Sequence, residues 1–187
     1  MAELFDKVKQ FVKKSFRGKE PGGQIVHFER TVYWVQKLNP SADKALLIAA
    51  FAHDIERAYR SREIMKNLRE VKFTDKKRMR EHQEKGAQII GRFLEQENAP
   101  RELIKRVKDL ISKHEEGGDE GQNILKDADS ISFLENNIKI FLQMAEKIGK
   151  KKIRQKFDWM YNRITSEQAK QIANKWYKKA IEELENI

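Results

Sequence analysis

Eight apolar residues in unbroken succession, Ala45 to Ala52, run directly into His53 and Asp54. A helix that is apolar on every side leaves no face for water and has to lie inside the molecule. The run is well short of the ~20 residues needed to cross a bilayer, so it reads as the core helix of a globular domain. Carrying an ionised Asp to its buried end costs several kcal/mol unless a cation or dense hydrogen bonding compensates. Imidazole beside carboxylate is also a good ligand pair for a borderline-hard divalent metal. Taken alone, the dipeptide fits equally well a helix whose polar end emerges at the surface. The rest of the chain decides.

Chain breakers are few, three Pro and nine Gly in 187 residues, and apolar positions recur at helical spacing. Helices are predicted over residues 2–17 and 24–38. A third opens after Asn39-Pro40, with Ser41 as its cap, and reaches about Tyr59. Ile64, Met65, Leu68 and Val71 suggest a short helix, and Phe73-Thr74-Asp75 a turn. Further helices span about 75–97, Pro100 to about His114, Asn123 to about Ile148, 150–164 and 166–185. The stretches Gly18 to Gly23 and Glu115 to Gly121 read as glycine-marked loops. No strand alternation or internal repeat stands out. The expectation is an all-α single domain over residues 1–187, a bundle of about seven to nine helices.

The chain has only four histidines, His27, His53, His82 and His114, and each falls on a separate predicted helix close to apolar positions. A lone histidine on such a face is usually a satisfied core residue. Four out of four, with none elsewhere, is the pattern of a metal site built from side chains on facing helices. With Asp54 and Asp129 the order is His, His-Asp, His, His, Asp. Asp127, two residues from Asp129, is the competing acid. There is no cysteine, which excludes thiolate ligands and a Cys nucleophile.

In this order, with His53-Asp54 ending a buried helix and Ala128-Asp129 closing the set, the sequence resembles the HD-domain metal-dependent phosphohydrolases. The likeness covers roughly residues 24–145, leaving 149–187 as a C-terminal helical extension. His82, followed by Gly86-Ala87, and His114 resemble the branch that holds two metals. The resemblance implies that His27, His53, Asp54 and Asp129 hold one ion, and that His82, His114 and a bridging Asp54 hold the other. It implies His53 and Asp54 as the catalytic pair, and hydrolysis of a phosphomonoester or phosphodiester in a nucleotide or other small phosphorylated substrate. Imidazole and carboxylate without thiolate suit two divalent ions among Fe, Mn, Co and Zn.

Arg57, Arg30 and Lys85 each lie one turn after a candidate ligand and are the candidate substrate cations. The net charge of +10 fits an anionic partner or, equally, a heavily charged solvated surface. Lys150 to Lys156, with Phe157, Trp159 and Tyr161 beyond, is the strongest nucleic-acid candidate. A lysine run at a helix start is more often a solvated face, and aromatics so spaced are more often core, so nucleic acid is not favoured. The start lacks a signal-peptide run, and the expected setting is cytoplasmic, with no membrane partner. Two alternatives remain: a di-iron oxygenase on the same scaffold, and a non-enzymatic basic nucleic-acid-binding helical protein.

Overall fold

The computed structural model describes residues 2–19, 23–60 and 75–187; among them are nine α-helices, one 3-10 turn and no strand. In chain order the helices are α1 (Ala2–Ser15), α2 (Gln24–Leu38), α3 (Lys44–Ala52), α4 (Lys76–Gln96), α5 (Arg101–Ile111), α6 (Glu120–Asn136), α7 (Ile138–Ile148), α8 (Lys150–Asn162) and α9 (Glu167–Glu185). The 3-10 turn is Ile55–Tyr59. The helix expected around Ile64 to Val71, the turn at Phe73-Thr74 and the loop at Glu20 to Gly22 lie outside the described residues.

The apolar run does what its pattern requires. Every residue of α3 except Lys44 and Leu47 is buried, and the helix packs against α1, α2, α5 and α6. Its start differs from expectation: Asp43, not Ser41, is the cap, its carboxylate accepting the Leu46 N–H at 2.8 Å. Its end differs too. The helix stops at Ala52 because the His53 ring donates Nδ1–H to the Ala50 carbonyl at 3.0 Å. That oxygen would otherwise receive the Asp54 N–H, so the chain tightens into the 3-10 turn.

The same device ends α5. It stops at Ile111, short of the expected His114, and the His114 ring donates Nδ1–H to the Ile111 carbonyl at 2.7 Å. One long helix was expected over 123–148, but it begins at Glu120 behind an Asp119–Gln122 capping box and breaks at Asn137. Asn136 Nδ2 donates to the Ser132 carbonyl there at 3.0 Å, drawing the side chain back along the helix.

Two hydrophobic clusters fill the interior. One gathers α1 to α5 and the first half of α6, ending at Ala128. The other begins at Ile131 and gathers the rest of α6 with α7, α8 and α9. Asp129 stands between them on α6, which packs against α2, α3, α8 and α9.

Candidate metal centre

The C-terminal ends of α3 and α5 converge, and helix C-termini favour positive charge. His53 and His114 sit on those ends with ring centroids 5.2 Å apart. His27 of α2 flanks His53 at 5.2 Å, and His82 of α4 flanks His114 at 5.4 Å. The four buried rings thus form a row. α4 comes this close to the end of α3 at Gly86, where even a Cβ would meet the His53 carbonyl oxygen at 3.4 Å.

The hydrogen bonds set each ring's orientation and tautomer. Main-chain carbonyls hold Nδ1–H of His53 and His114. The Ser132 hydroxyl gives its proton to the His27 carbonyl at 2.8 Å, so it can only accept from His27 Nδ1–H, also at 2.8 Å. Glu56 accepts from His82 Nδ1–H at 2.6 Å and is itself held by Arg60 at 2.7 Å. All four Nε2 atoms are therefore turned to the interior, where that of His82 meets Asp54 at 2.8 Å, the arrangement in which an outer acceptor fixes a ligating imidazole.

What they face is carboxylate. Asp54 divides its oxygens: Oδ1 lies 2.8 Å from His82 Nε2 and 3.8 Å from His114 Nε2, while Oδ2 lies 3.8 Å from His53 Nε2 and 2.7 Å from Arg57 Nε. Asp129 Oδ1 lies 3.0 Å from His27 Nε2 and 3.4 Å from His53 Nε2. Among the described residues two groups have donor atoms close enough together to hold a cation, His27–His53–Asp54 and Asp54–His82–His114, and they share Asp54. Among the described residues the buried Nε2 atoms of His53 and His114 have no hydrogen-bond partner. Buried polar groups are almost always satisfied, so two such orphans side by side mark a place for an electrophile.

Electrostatics agree. Burial works against charge on His53, yet Asp129 and Asp54 outweigh it and raise the ring to about 9. His82 is also raised despite burial, through its bonds to Asp54 and Glu56. Burial, with the charges of His53 and His82 and against the pull of Glu115, lowers His114 to about 4. Asp54 and Asp129 are held well below the usual carboxylate range despite burial, Asp54 chiefly by Arg57 and His53, Asp129 chiefly by Arg163 and His53. The cluster attracts positive charge.

Of the three candidate substrate cations, Arg57 reaches the cluster: it bonds Asp54 while its side chain stays 40% exposed. Arg30 instead forms a bidentate pair with Glu135 at 2.8 Å, where the Trp34 indole also donates. Lys85 is exposed on α4. Asp127 accepts the Thr165 and Ser166 N–H groups at 2.7 and 2.9 Å, fixing the start of α9.

Several participants carried no sequence signal. Arg163, at the end of α8, contacts both Glu115 and Asp129 and donates to the Ser130 hydroxyl at 2.8 Å. Glu115 is held down to about 2, burial being outweighed by Arg163, His114 and Lys156. Lys156 corrects the expectation of a solvated lysine face: Lys150 and Lys151 are exposed, but Lys156 is buried.

The model of one protein family, described as a domain of unknown function (DUF4202), matches residues 4–185. No curated protein matches. A solved structure of a predicted HD superfamily hydrolase from an uncultured Thermotogales bacterium is similar at a TM-score of 0.59 and 20% identity, over 97% of this chain and 89% of that one. The two share the all-α HD fold. No helix among the described residues is long and apolar enough to cross a membrane.

Proposed function

The chain belongs to the DUF4202 family, and from its fold and centre we propose that it is a metal-dependent hydrolase of small phosphoesters, nucleotides among them. The observation that carries this is the pair of buried, unbonded Nε2 atoms on His53 and His114, facing carboxylates in two groups that share Asp54. His27, His53, Asp54 and Asp129 would hold one ion; His82, His114 and Asp54 the other. The donor set, nitrogen and oxygen without sulfur, fits Fe, Mn, Co or Zn.

When bound, two such ions polarise a phosphoryl oxygen and bring the ionisation of water towards neutral pH. The chain's own residues do the rest. Ser132, Glu56 and the Ala50 and Ile111 carbonyls aim the four rings. Asp54 carries an oxygen to each half of the site. Arg57, bonded to Asp54 yet partly exposed, would hold an incoming anion beside the centre. The resemblance of the ligand order to the HD phosphohydrolases supports the phosphoester assignment.

Metal analysis of protein purified without chelator, followed by a phosphoester panel with each ion, tests the reading. About two ions per chain are expected, falling towards one in His82→Ala and in His114→Ala, with turnover lost and helicity kept. A wild-type protein that binds one ion under saturating conditions would remove the two-metal assignment. Oxygen consumption dependent on iron, without phosphoester turnover, would overturn the hydrolase.

A further inference from the structure

The ammonium of Lys156 is the least explained charge near the centre. The residue is 8% exposed. Its Nζ lies 4.4 Å from the Trp159 ring and 5.2 Å from the Phe133 ring. Among the described residues no carboxylate comes within ion-pair distance of it. The carboxylates acting on it from afar, Glu115 and Asp129, are both already engaged by Arg163. A desolvated cation–π contact is worth about 2 kcal/mol, less than the several kcal/mol that burying an ammonium costs. Burial lowers the group only to about 8, so it keeps its charge at neutral pH.

Its neighbours point to what completes it. The Arg163 guanidinium lies 4.6 Å over the same Trp159 ring and reaches Asp129. Arg57, which also acts on Lys156, is bonded to Asp54. Around the rings, the carboxylates of Asp54, Glu56, Glu115 and Asp129 face the cations of Arg57, Arg60, Lys156 and Arg163. Those four carboxylates and four cations balance once the imidazoles are neutral, as metal ligation requires, so bound ions would bring positive charge that a dianion offsets better than a monoanion. A phosphomonoester carries about two negative charges near pH 7, one more than a diester.

We propose that Lys156 recognises the phosphoryl group of the substrate, so that α8 completes the site and the substrate is a phosphomonoester. The assignment rests on the metal-hydrolase reading above. It gives the C-terminal helices a direct part in substrate choice, by way of a cation supplied from the second hydrophobic cluster.

The test is calorimetric titration of inorganic phosphate into the full chain, metal-loaded and metal-free, with metal content measured in parallel. Lys156→Met should weaken phosphate at least about tenfold, the worth of one charge-assisted hydrogen bond. Lys156→Arg, which keeps the charge, should stay within about threefold. Lys151→Met, exposed on the same helix, should match wild type. Turnover of p-nitrophenyl phosphate should fall more than that of bis(p-nitrophenyl) phosphate in Lys156→Met. Unchanged phosphate affinity in Lys156→Met with metal content intact overturns the proposal and leaves the metal centre standing. A wild-type chain that takes up no metal overturns the hydrolase reading instead, and the metal-free titration then decides on Lys156 alone. Should Lys156→Met fail to fold, NMR titration of the wild-type ammonium decides: phosphate has to raise its pKa above that of the phosphate-free protein, and an unmoved titration refutes the anchor.

Discussion

Replacing Arg163 by Met should show how strongly the buried acids depend on one guanidinium. The Arg163 side chain is 6% exposed and contacts Glu115 and Asp129, each 8% exposed. Methionine fills the volume but leaves two buried carboxylates without their main counter-charge. The fall of Glu115 from 4.5 to about 2 is worth about 3 kcal/mol, and breaking a buried pair costs a similar amount. At about 2–4 °C per kcal/mol in a domain of this size, chelator-treated Arg163→Met should melt roughly 6–12 °C below wild type at pH 7. Because Glu115 is held below its unfolded value, its contribution is fully present above pH 4.5 and disappears as the pH falls through about 2. The gap between the two proteins should therefore be widest above pH 5 and close on acidification. Divalent ions should restore part of the loss, since a cation at Asp129 replaces the missing guanidinium. A melting shift under about 2 °C at pH 7, or a gap undiminished at pH 3, would refute the account.

Three further outcomes follow from the geometry. Asp129→Asn should abolish turnover and lower bound metal, whereas Asp127→Asn, which weakens one of two main-chain bonds to the start of α9, should cost about 1–3 kcal/mol of stability and less activity; the reverse order in paired melting and metal assays would move the closing ligand to Asp127. The raised pKa of His53 favours the metal-free protein fully below pH 6.5, an advantage lost as the pH climbs through about 9. Divalent ions should therefore bind more tightly as pH rises from 6 to 9 and release protons on binding, which calorimetry in buffers of different ionisation heat detects. Gly86→Val should push the His53 carbonyl, 3.4 Å from the added Cβ, and lower metal affinity while leaving helical circular dichroism nearly unchanged.

The fold class and the convergent residues were legible because their signals are scarce in this chain. One unbroken apolar run has one place to go, and four histidines among 187 residues are conspicuous. Residues 24–38 were bounded correctly because a glycine loop and Asn39-Pro40 mark both ends. Arg163, Glu115 and Lys156 were illegible for the opposite reason. With 39 basic and 29 acidic residues, no single charge announces that it turns inward. Helix ends failed where a side chain, not a breaker, stopped the helix: the His53 and His114 rings capture carbonyls of their own helices, and no glycine or proline marks those positions or Asn137. Ser41 and Asp43 are both good caps, and only tertiary placement chose between them.

Those ring-to-carbonyl bonds also divide the centre by its tolerance of mutation. The acceptors that aim His53 and His114 are main-chain oxygens of Ala50 and Ile111, which no side-chain substitution deletes. The acceptors that aim His27 and His82 are the side chains of Ser132 and Glu56, and a single codon change removes either one. The inner pair of rings is thereby buffered against sequence drift and the outer pair is exposed to it. A lineage losing this chemistry step by step would lose the orientation of His27 or His82 first, at Ser132 or Glu56, while the His-Asp dipeptide still looked intact.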